Sequence, residues 1–160
     1  MAVALRPMTP AELAAYRGRM IADYAAALVR DAGHDAQEAL DKAEADTQAH
    51  WPGAEPPPGD VVAMVEADGE AVGHVWFAET SRNDRRTIFV NDVEIDEAYR
   101  GRGLGRAAMG LVEDAARARG IDRVELNVFG GNTAARSLYR SLGYDEVAVG
   151  MRKRLDLTDA

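Results

Sequence analysis

Hydrophobic and polar positions divide the N-terminal third of the chain into a short strand and two helices. Residues 3–6 predict the strand, and Thr9-Pro10-Ala11-Glu12 predicts a capping box that begins a helix running to about residue 30. Ala32-Gly33-His34 ends this helix. Residues 35–50 predict a second helix, rich in alanine and charge with few large apolar side chains, which we expect at an edge of the fold or over a substrate cleft.

Alternation of apolar and polar residues predicts three consecutive strands in the middle of the chain. Residues 61–66 and 71–79 form the first two, joined by a hairpin turn at Ala67-Asp68-Gly69-Glu70. Residues 86–95 form the third, after a polar turn at residues 80–85. Because the connections are short, we expect these strands to pair antiparallel.

The C-terminal third alternates helices with strands. Leu104, Ala108, Leu111, Val112 and Ala115 have helical spacing, and Gly120 caps the predicted helix. A strand follows at residues 122–129, and the intervening helix makes it a parallel, right-handed neighbour of strand 86–95. A helix at 132–142 and a last strand at 144–155 complete an α/β fold with about six strands.

Composition excludes several functions. The 160-residue chain has no cysteine, so disulfides and thiolate nucleophiles are impossible, and this fits a reducing cytoplasm. No apolar run reaches the ~18 residues that a membrane span needs. The net charge of −8 disfavours a nucleic-acid partner and favours a cationic substrate, although it equally serves solubility. The three histidines lack metal-site spacing, so no metal is expected.

Three glycines lie where the connection from the third predicted strand enters the predicted helix that begins near residue 104. The segment reads Arg100-Gly101-Arg102-Gly103-Leu104-Gly105-Arg106. Glycines leave backbone N–H groups uncovered and a helix N-terminus carries partial positive charge, so the segment predicts a phosphate-binding site. Three arginines add positive charge there in a chain that is otherwise acidic.

A dinucleotide-binding fold is the alternative for this loop. Residues 103–108 also fit G-x-G-x-x-A, and Glu125 lies about where that fold has its ribose-binding acid. However, seven residues separate Ile95 from Gly103, whereas a dinucleotide fold turns almost at once. The chain also begins with antiparallel strands and offers one clear β-α-β unit.

The glycine segment resembles motif A of the GCN5-related N-acetyltransferases (GNAT), whose signature is Arg or Gln, two residues, Gly, one residue, then Gly or Ala. Here it reads Arg100-Gly101-Arg102-Gly103-Leu104-Gly105. A second block, Asn132-Thr133-Ala134-Ala135-Arg136-Ser137-Leu138-Tyr139 followed by Leu142-Gly143-Tyr144, resembles the later helix and strand of that family at the expected distance. The resemblance is sharp over residues 87–155.

The resemblance implies one N-acetyltransferase domain over residues 1–160. Its fold would be a mixed, mostly antiparallel sheet with helices on both faces and a splayed parallel strand pair at the coenzyme site. Acetyl-coenzyme A would be the acetyl donor, with its pyrophosphate on residues 100–106. The pantetheine arm would pair with backbone groups of Val93, Glu94 and Ile95. Asn132 would contact the coenzyme, cap its own helix, or do both.

The resemblance also assigns chemistry to individual side chains. Tyr139 would protonate the departing thiolate, although its spacing also suits a core aromatic. Asp92 and Glu94 alternate with apolar residues, so they share one face of their strand, absent a bulge. Either carboxylate could take the proton of the attacking amine, or both could lie on a solvated face. Some family members use position 127 as the base, but Asn127 cannot act as one.

We therefore expect an acetyl-coenzyme A-dependent N-acetyltransferase acting on a primary amine of a small molecule or peptide by direct attack. The second hypothesis is an acyl-coenzyme A-binding sensor or structural module of the same fold without catalysis. A monomer or homodimer is expected, with no nucleic-acid or membrane partner. The amine itself is left open.

Overall fold

The computed structural model describes residues 1–157, apart from the side chain of Asp31. The chain divides into two compact units, Met1–Asn127 and Val128–Ala160. The elements in chain order are β1 (Val3–Pro7), α1 (Pro10–Ala32), α2 (Ala36–His50), β2 (Asp60–Ala67), β3 (Glu70–Arg82), β4 (Arg85–Ile95), a short 3₁₀ turn (Glu97–Tyr99), α3 (Leu104–Ala118), β5 (Val124–Leu126) and α4 (Thr133–Ser141). Among the described residues, no helix is both long and apolar enough to cross a membrane.

The first unit contains a five-stranded sheet in the order β1-β2-β3-β4-β5. The first four strands pair antiparallel, and β4 pairs parallel with β5. This confirms the predicted mixed, mostly antiparallel sheet and its parallel pair. The parallel ladder is short, since it joins residues 88–90 to residues 124–126, and β4 then continues to Ile95.

Helices cover both faces of this sheet, as predicted. On one face, α1 packs Leu13 and Tyr16 into a cluster with Trp51, Val62 and Trp76. On the other face, α3 packs Leu104 and Ala108 against Val65 and Val72. The second helix, α2, buries only small side chains (Ala39, Ala43 and Thr47) where it packs on α1, in keeping with its shallow apolar face.

A bulge in β4 decides which residues face which helix layer. Phe77 pairs with Val90, but the next residue back on β3, Trp76, pairs with Asp92. Asn91 is thus the extra residue, and it shifts the side-chain alternation by one position. As a result Val93 and Ile95 face α3, whereas Asp92 and Glu94 share the opposite face with Trp76 and His74.

Two predicted boundaries and one predicted strand need correction. The turn between β3 and β4 is a tight one at Asn83 and Asp84, both with positive φ, because the strands extend to within two residues of each other. The strand predicted at residues 122–129 is limited to Val124–Leu126. The last predicted strand, residues 144–155, is absent from the described chain, so the sheet has five strands rather than about six.

The missing sixth strand has a physical reason within its own unit. A strand exists through its hydrogen-bonded ladder, and alternation alone does not supply a partner. In residues 128–157 the regular element is the helix α4, which offers no ladder groups to an extended neighbour. The alternation at residues 144–155 therefore predicted a strand that has no ladder partner in the described chain.

Candidate active site

The glycine loop presents uncovered backbone at the start of α3. Gly101 and Gly103 have φ of 75° and 78°, in the left-handed region that favours glycine. Gly103 is the N-cap of α3 and, having no side chain, it caps none of the first-turn N–H groups. No acidic residue lies in that first turn. A helix N-terminus with no capping side chain and no carboxylate in its first turn is suited to bind a phosphate group.

Open space surrounds both glycines. A Cβ atom built on Gly101 or on Gly103 would meet no heavy atom of the described residues within 4 Å. These glycines are therefore not required by packing within the protein. Their left-handed backbone, and the room above it, fit a ligand that approaches the main chain closely, as a pyrophosphate would.

Two arginines of the loop donate hydrogen bonds to nearby backbone carbonyl groups. Nε of Arg100 donates to the carbonyl of Ile95 at 2.9 Å, and its guanidinium lies 3.3 Å from a carboxylate oxygen of Glu94. Arg102 donates to the carbonyl of Ala98 at 3.1 Å and lies over the ring of Tyr99. The predicted site thus contains arginines that tie the end of β4 and the 3₁₀ turn to the loop.

The other members of the predicted loop site differ in exposure. Leu104 is buried in the cluster beneath α3, so its side chain serves packing, and only its backbone is suited to a ligand. Gly105 is half-buried and Arg106 is exposed on the first turn of α3. Backbone donors and a surface guanidinium are therefore the groups this turn offers to an anion.

Within the described residues β4 has a free end: only the first part of its outer edge is paired, and the segment predicted to pair with the pantetheine arm lies beyond that part. The ladder to β5 ends at Val90, so residues 91–95 extend beyond the paired part of that edge. On its other edge, β4 approaches β3 unusually closely at Gly73, where an added Cβ would overlap the carbonyl oxygen of Glu94 and lie 3.0 Å from Cα of Ile95. Glycine at position 73 thus allows β3 to pack closely against the backbone of Glu94 and Ile95.

The two candidate carboxylates have different surroundings. Asp92 accepts a hydrogen bond from the hydroxyl of Tyr16 at 2.9 Å, and its Oδ2 lies 2.9 Å from Nε2 of His74. Burial acts to raise the pKa of Asp92, but the hydrogen bonds and charge interactions with His74 and Tyr16 outweigh it, so this pKa lies below its ordinary value. Glu94 is exposed, with Arg100 as its ion-pair partner.

Tyr16 and His74 are site residues that the sequence reasoning missed. Both are buried, and their rings lie 4.8 Å apart between centroids. Burial and the neighbouring Asp92 charge raise the pKa of the Tyr16 hydroxyl well above its usual range, so it remains a donor. His74 lies two residues before Trp76 on the same strand face, and this spacing was the one available signal.

The second unit holds the remaining predicted site residues on and beside α4. Asn132 is the N-cap of this helix, and its side-chain oxygen accepts from the backbone N–H of Ala135 at 3.2 Å. The capping role considered for Asn132 is therefore present. Tyr139 is half-buried in the second turn, with its ring 5.8 Å from that of Tyr144.

Comparison with known proteins agrees with this geometry. Residues 16–144 match the model of the Acetyltransferase (GNAT) family, so the chain belongs to this family. It is an acyltransferase that uses acetyl-coenzyme A. The protein named Uncharacterized N-acetyltransferase YdgE, from Bacillus subtilis strain 168, is 29% identical over 97% of this chain and 99% of YdgE.

Two solved structures show the same fold. The crystal structure of a putative acetyltransferase, YycN of Bacillus subtilis, has a TM-score of 0.86 and 26% identity, covering 96% of this chain and 99% of that one. The structure of AAC(6')-Iy in complex with the bisubstrate analogue CoA-S-monomethyl-acetylneamine has a TM-score of 0.60 and 18% identity, covering 97% and 100%. At that identity the second likeness concerns the fold alone.

Proposed function

We propose that this protein transfers the acetyl group of acetyl-coenzyme A to a primary amine, by direct attack of the amine in a ternary complex. The observation that carries this is the uncapped, carboxylate-free N-terminus of α3 behind two left-handed glycines with open space above them. We treat residues 1–160 as one N-acetyltransferase domain that acts in the cytoplasm as a monomer or homodimer, without a metal.

The residues that would hold the coenzyme are those of the loop and the free end of β4. Backbone N–H groups of residues 101–106 would bind the pyrophosphate, with Arg100, Arg102 and Arg106 supplying charge. Backbone groups of residues 93–95 would pair with the pantetheine arm, and Asn132 would add a polar contact. When bound, the coenzyme supplies an acetyl group activated as a thioester.

Tyr139 would act as the general acid, and a carboxylate on β4 would act as the general base. The Tyr139 hydroxyl would donate its proton to the sulfur as the carbon–sulfur bond breaks. Glu94 is the better candidate for the base, because its exposed carboxylate can receive a proton directly or through water. Asp92 is the poorer base, since its lowered pKa weakens its hold on a proton.

A cationic acceptor fits the charge of the protein. The net charge of −8 attracts a protonated amine at long range, and Asp92 and Glu94 present two carboxylates on one face of β4. A small polyamine, an aminoglycoside-like antibiotic, an amino acid or a peptide amine would all satisfy this chemistry.

The decisive experiment measures release of the coenzyme thiol from acetyl-coenzyme A with a panel of primary amines. We expect turnover above the amine-free background with at least one cationic member. The alternative function, an acyl-coenzyme A sensor without catalysis, predicts tight coenzyme binding by calorimetry and no amine-dependent thiol release. Absence of coenzyme binding as well would contradict both.

Matched pH–rate profiles test the assigned residues. Tyr139→Phe keeps the ring and removes the hydroxyl, so loss of a general acid should lower kcat by ~10²–10⁴-fold at every pH, with little change in stability. Glu94→Gln should be partly rescued as pH rises, because free amine then accumulates without help from a base. If the pH–rate profile of Glu94→Gln is like that of the wild type, Glu94 is not the base and lies on a solvated surface.

A further inference from the structure

Three elements converge on one carboxylate beside the free end of β4. Tyr16 reaches it from α1, His74 from β3, and Asp92 stands on β4 itself, one residue after the bulge. Tyr16 and Asp92 are 76 positions apart in the sequence. A contact between residues so distant in sequence depends on tertiary packing, and hydrogen bonds from Tyr16 and His74 hold the Asp92 carboxylate in one geometry.

Both side-chain donors bind the same oxygen of Asp92. Tyr16 and His74 each lie 2.9 Å from Oδ2, and the backbone N–H of Val93 also donates to the Asp92 carboxylate. The side chain of Asp92 is 37% exposed, whereas that of His74 is 10% exposed. Donors of the protein therefore fix the orientation of the Asp92 carboxylate, and its exposed part can still accept a hydrogen bond from a donor that comes from solvent.

The position of Asp92 suits an acceptor amine. It lies two residues past the end of the β4–β5 ladder, on the stretch along which the acetyl-bearing arm of the coenzyme is expected. Its lowered pKa keeps it charged at neutral pH. The titratable and charged groups around it are Tyr16 and Arg19 on α1, His74 on β3 and Glu94 on β4. A permanently charged carboxylate makes a better ammonium anchor than a base.

We propose that Asp92 is the anchor for the acceptor amine, and that His74 and Tyr16 are positioning residues that hold its carboxylate, through Oδ2, in the orientation that receives the incoming nitrogen. This inference rests on the proposed N-acetyltransferase activity and deepens it. Asp92 holds the nitrogen as it arrives as an ammonium ion, and Glu94 or water removes one of its protons so that the neutral amine can attack the acetyl carbon. As the carbon–sulfur bond then breaks, the nitrogen loses a second proton to solvent, and the departing thiolate takes a proton from Tyr139, which regains one from solvent.

Steady-state kinetics on the best amine of the panel test this division. Asp92→Asn should raise the KM for the amine by about 10- to 100-fold, the loss expected for a hydrogen bond to a charged group, while the KM for acetyl-coenzyme A is unchanged and kcat stays within a few-fold. Tyr16→Phe should raise the amine KM by a smaller factor of about 3 to 10.

The chain supplies a matched control for the tyrosine. Tyr24 lies on the same helix and donates its hydroxyl to Asp46 at 2.8 Å, away from the β4 site. Tyr24→Phe also removes a hydrogen bond between a tyrosine hydroxyl and a carboxylate, here at the surface, and should leave the amine KM unchanged. His74→Gln keeps an N–H donor and should resemble the wild type more closely than His74→Leu, which has none. Unaltered coenzyme affinity by calorimetry shows that each variant is folded.

The outcomes are distinguishable. If the wild type transfers acetyl to no amine, the proposed function and this inference fail together. If it is active but Asp92→Asn has an unchanged amine KM, or loses kcat instead, the anchor is wrong and the proposed function stands. If His74→Gln loses kcat as severely as His74→Leu, His74 acts as a proton acceptor rather than a positioning residue. Equal effects of Tyr16→Phe and Tyr24→Phe would refute the role of Tyr16.

Discussion

Replacement of Gly73 by alanine tests whether coenzyme binding depends on close packing of β3 against residues 93–95 of β4, the segment expected to pair with the pantetheine arm. In the sheet Gly73 pairs with Ile95, and an added Cβ would overlap the carbonyl oxygen of Glu94 and lie 3.0 Å from Cα of Ile95, where ordinary contact begins at 3.4 Å. All the atoms met are backbone, which cannot turn aside as a side chain can. The two strands must therefore separate at the very residues expected to pair with pantetheine.

The magnitude follows from known cases of overpacking. Forcing extra volume into a packed site typically costs about 1–3 kcal/mol. In a domain of this size each kcal/mol lowers Tm by roughly 2–4 °C, so we expect a fall of about 2–12 °C. Displacement of Glu94 and Ile95 should also weaken coenzyme binding in the folded variant, measured by calorimetry well below its Tm.

Gly18→Ala is the matched control for this substitution. Gly18 lies exposed within α1, and a Cβ added there would have no heavy atom of the described residues within 4 Å. Alanine in a helix interior should stabilise by roughly 0.5–1 kcal/mol, so Tm should rise and coenzyme affinity should stay unchanged. A Gly73→Ala protein with wild-type Tm and wild-type coenzyme affinity would refute the argument for close strand support.

Further predictions concern the coenzyme loop, the substrate charge and the first helix. Gly103→Asp should abolish coenzyme binding by calorimetry, whereas Gly103→Ala, with similar backbone strain and no charge, should retain more affinity. If a cationic amine is steered by the negative protein, its KM should rise between low and high salt, and an unchanged KM contradicts steering. Thr9→Ala removes the capping hydrogen bond to the N–H of Glu12 and should lower the unfolding free energy by about 1 kcal/mol in urea titrations. The hydrogen bond from Arg6 lowers the pKa of Glu12 to about 2 from 4.5. Stabilisation by Glu12 should therefore be complete above about pH 4.5 and disappear towards pH 2, so that wild type and Glu12→Gln converge in acid.

Local sequence signals determined the order and type of most elements. The capping box at Thr9 begins α1, and the positive φ of Asp68 and Gly69 closes the hairpin between β2 and β3. The glycine loop leads into α3, and α3 returns the chain so that β5 lies parallel to β4. These features depend on neighbours along the chain, which is why periodicity, caps and turn residues were sufficient to predict them.

The tertiary structure decided what surrounds the two β4 carboxylates. Side chains alternate across a strand, so the single extra residue Asn91 determines whether Asp92 shares a face with His74 or with the α3 layer. The sequence carries a trace of this bulge, since the apolar positions move from 88 and 90 to 93 and 95. The hydrogen bond from Tyr16 depends on how α1 lies across the sheet. That placement results from packing between residues distant in sequence, and no local pattern encodes it.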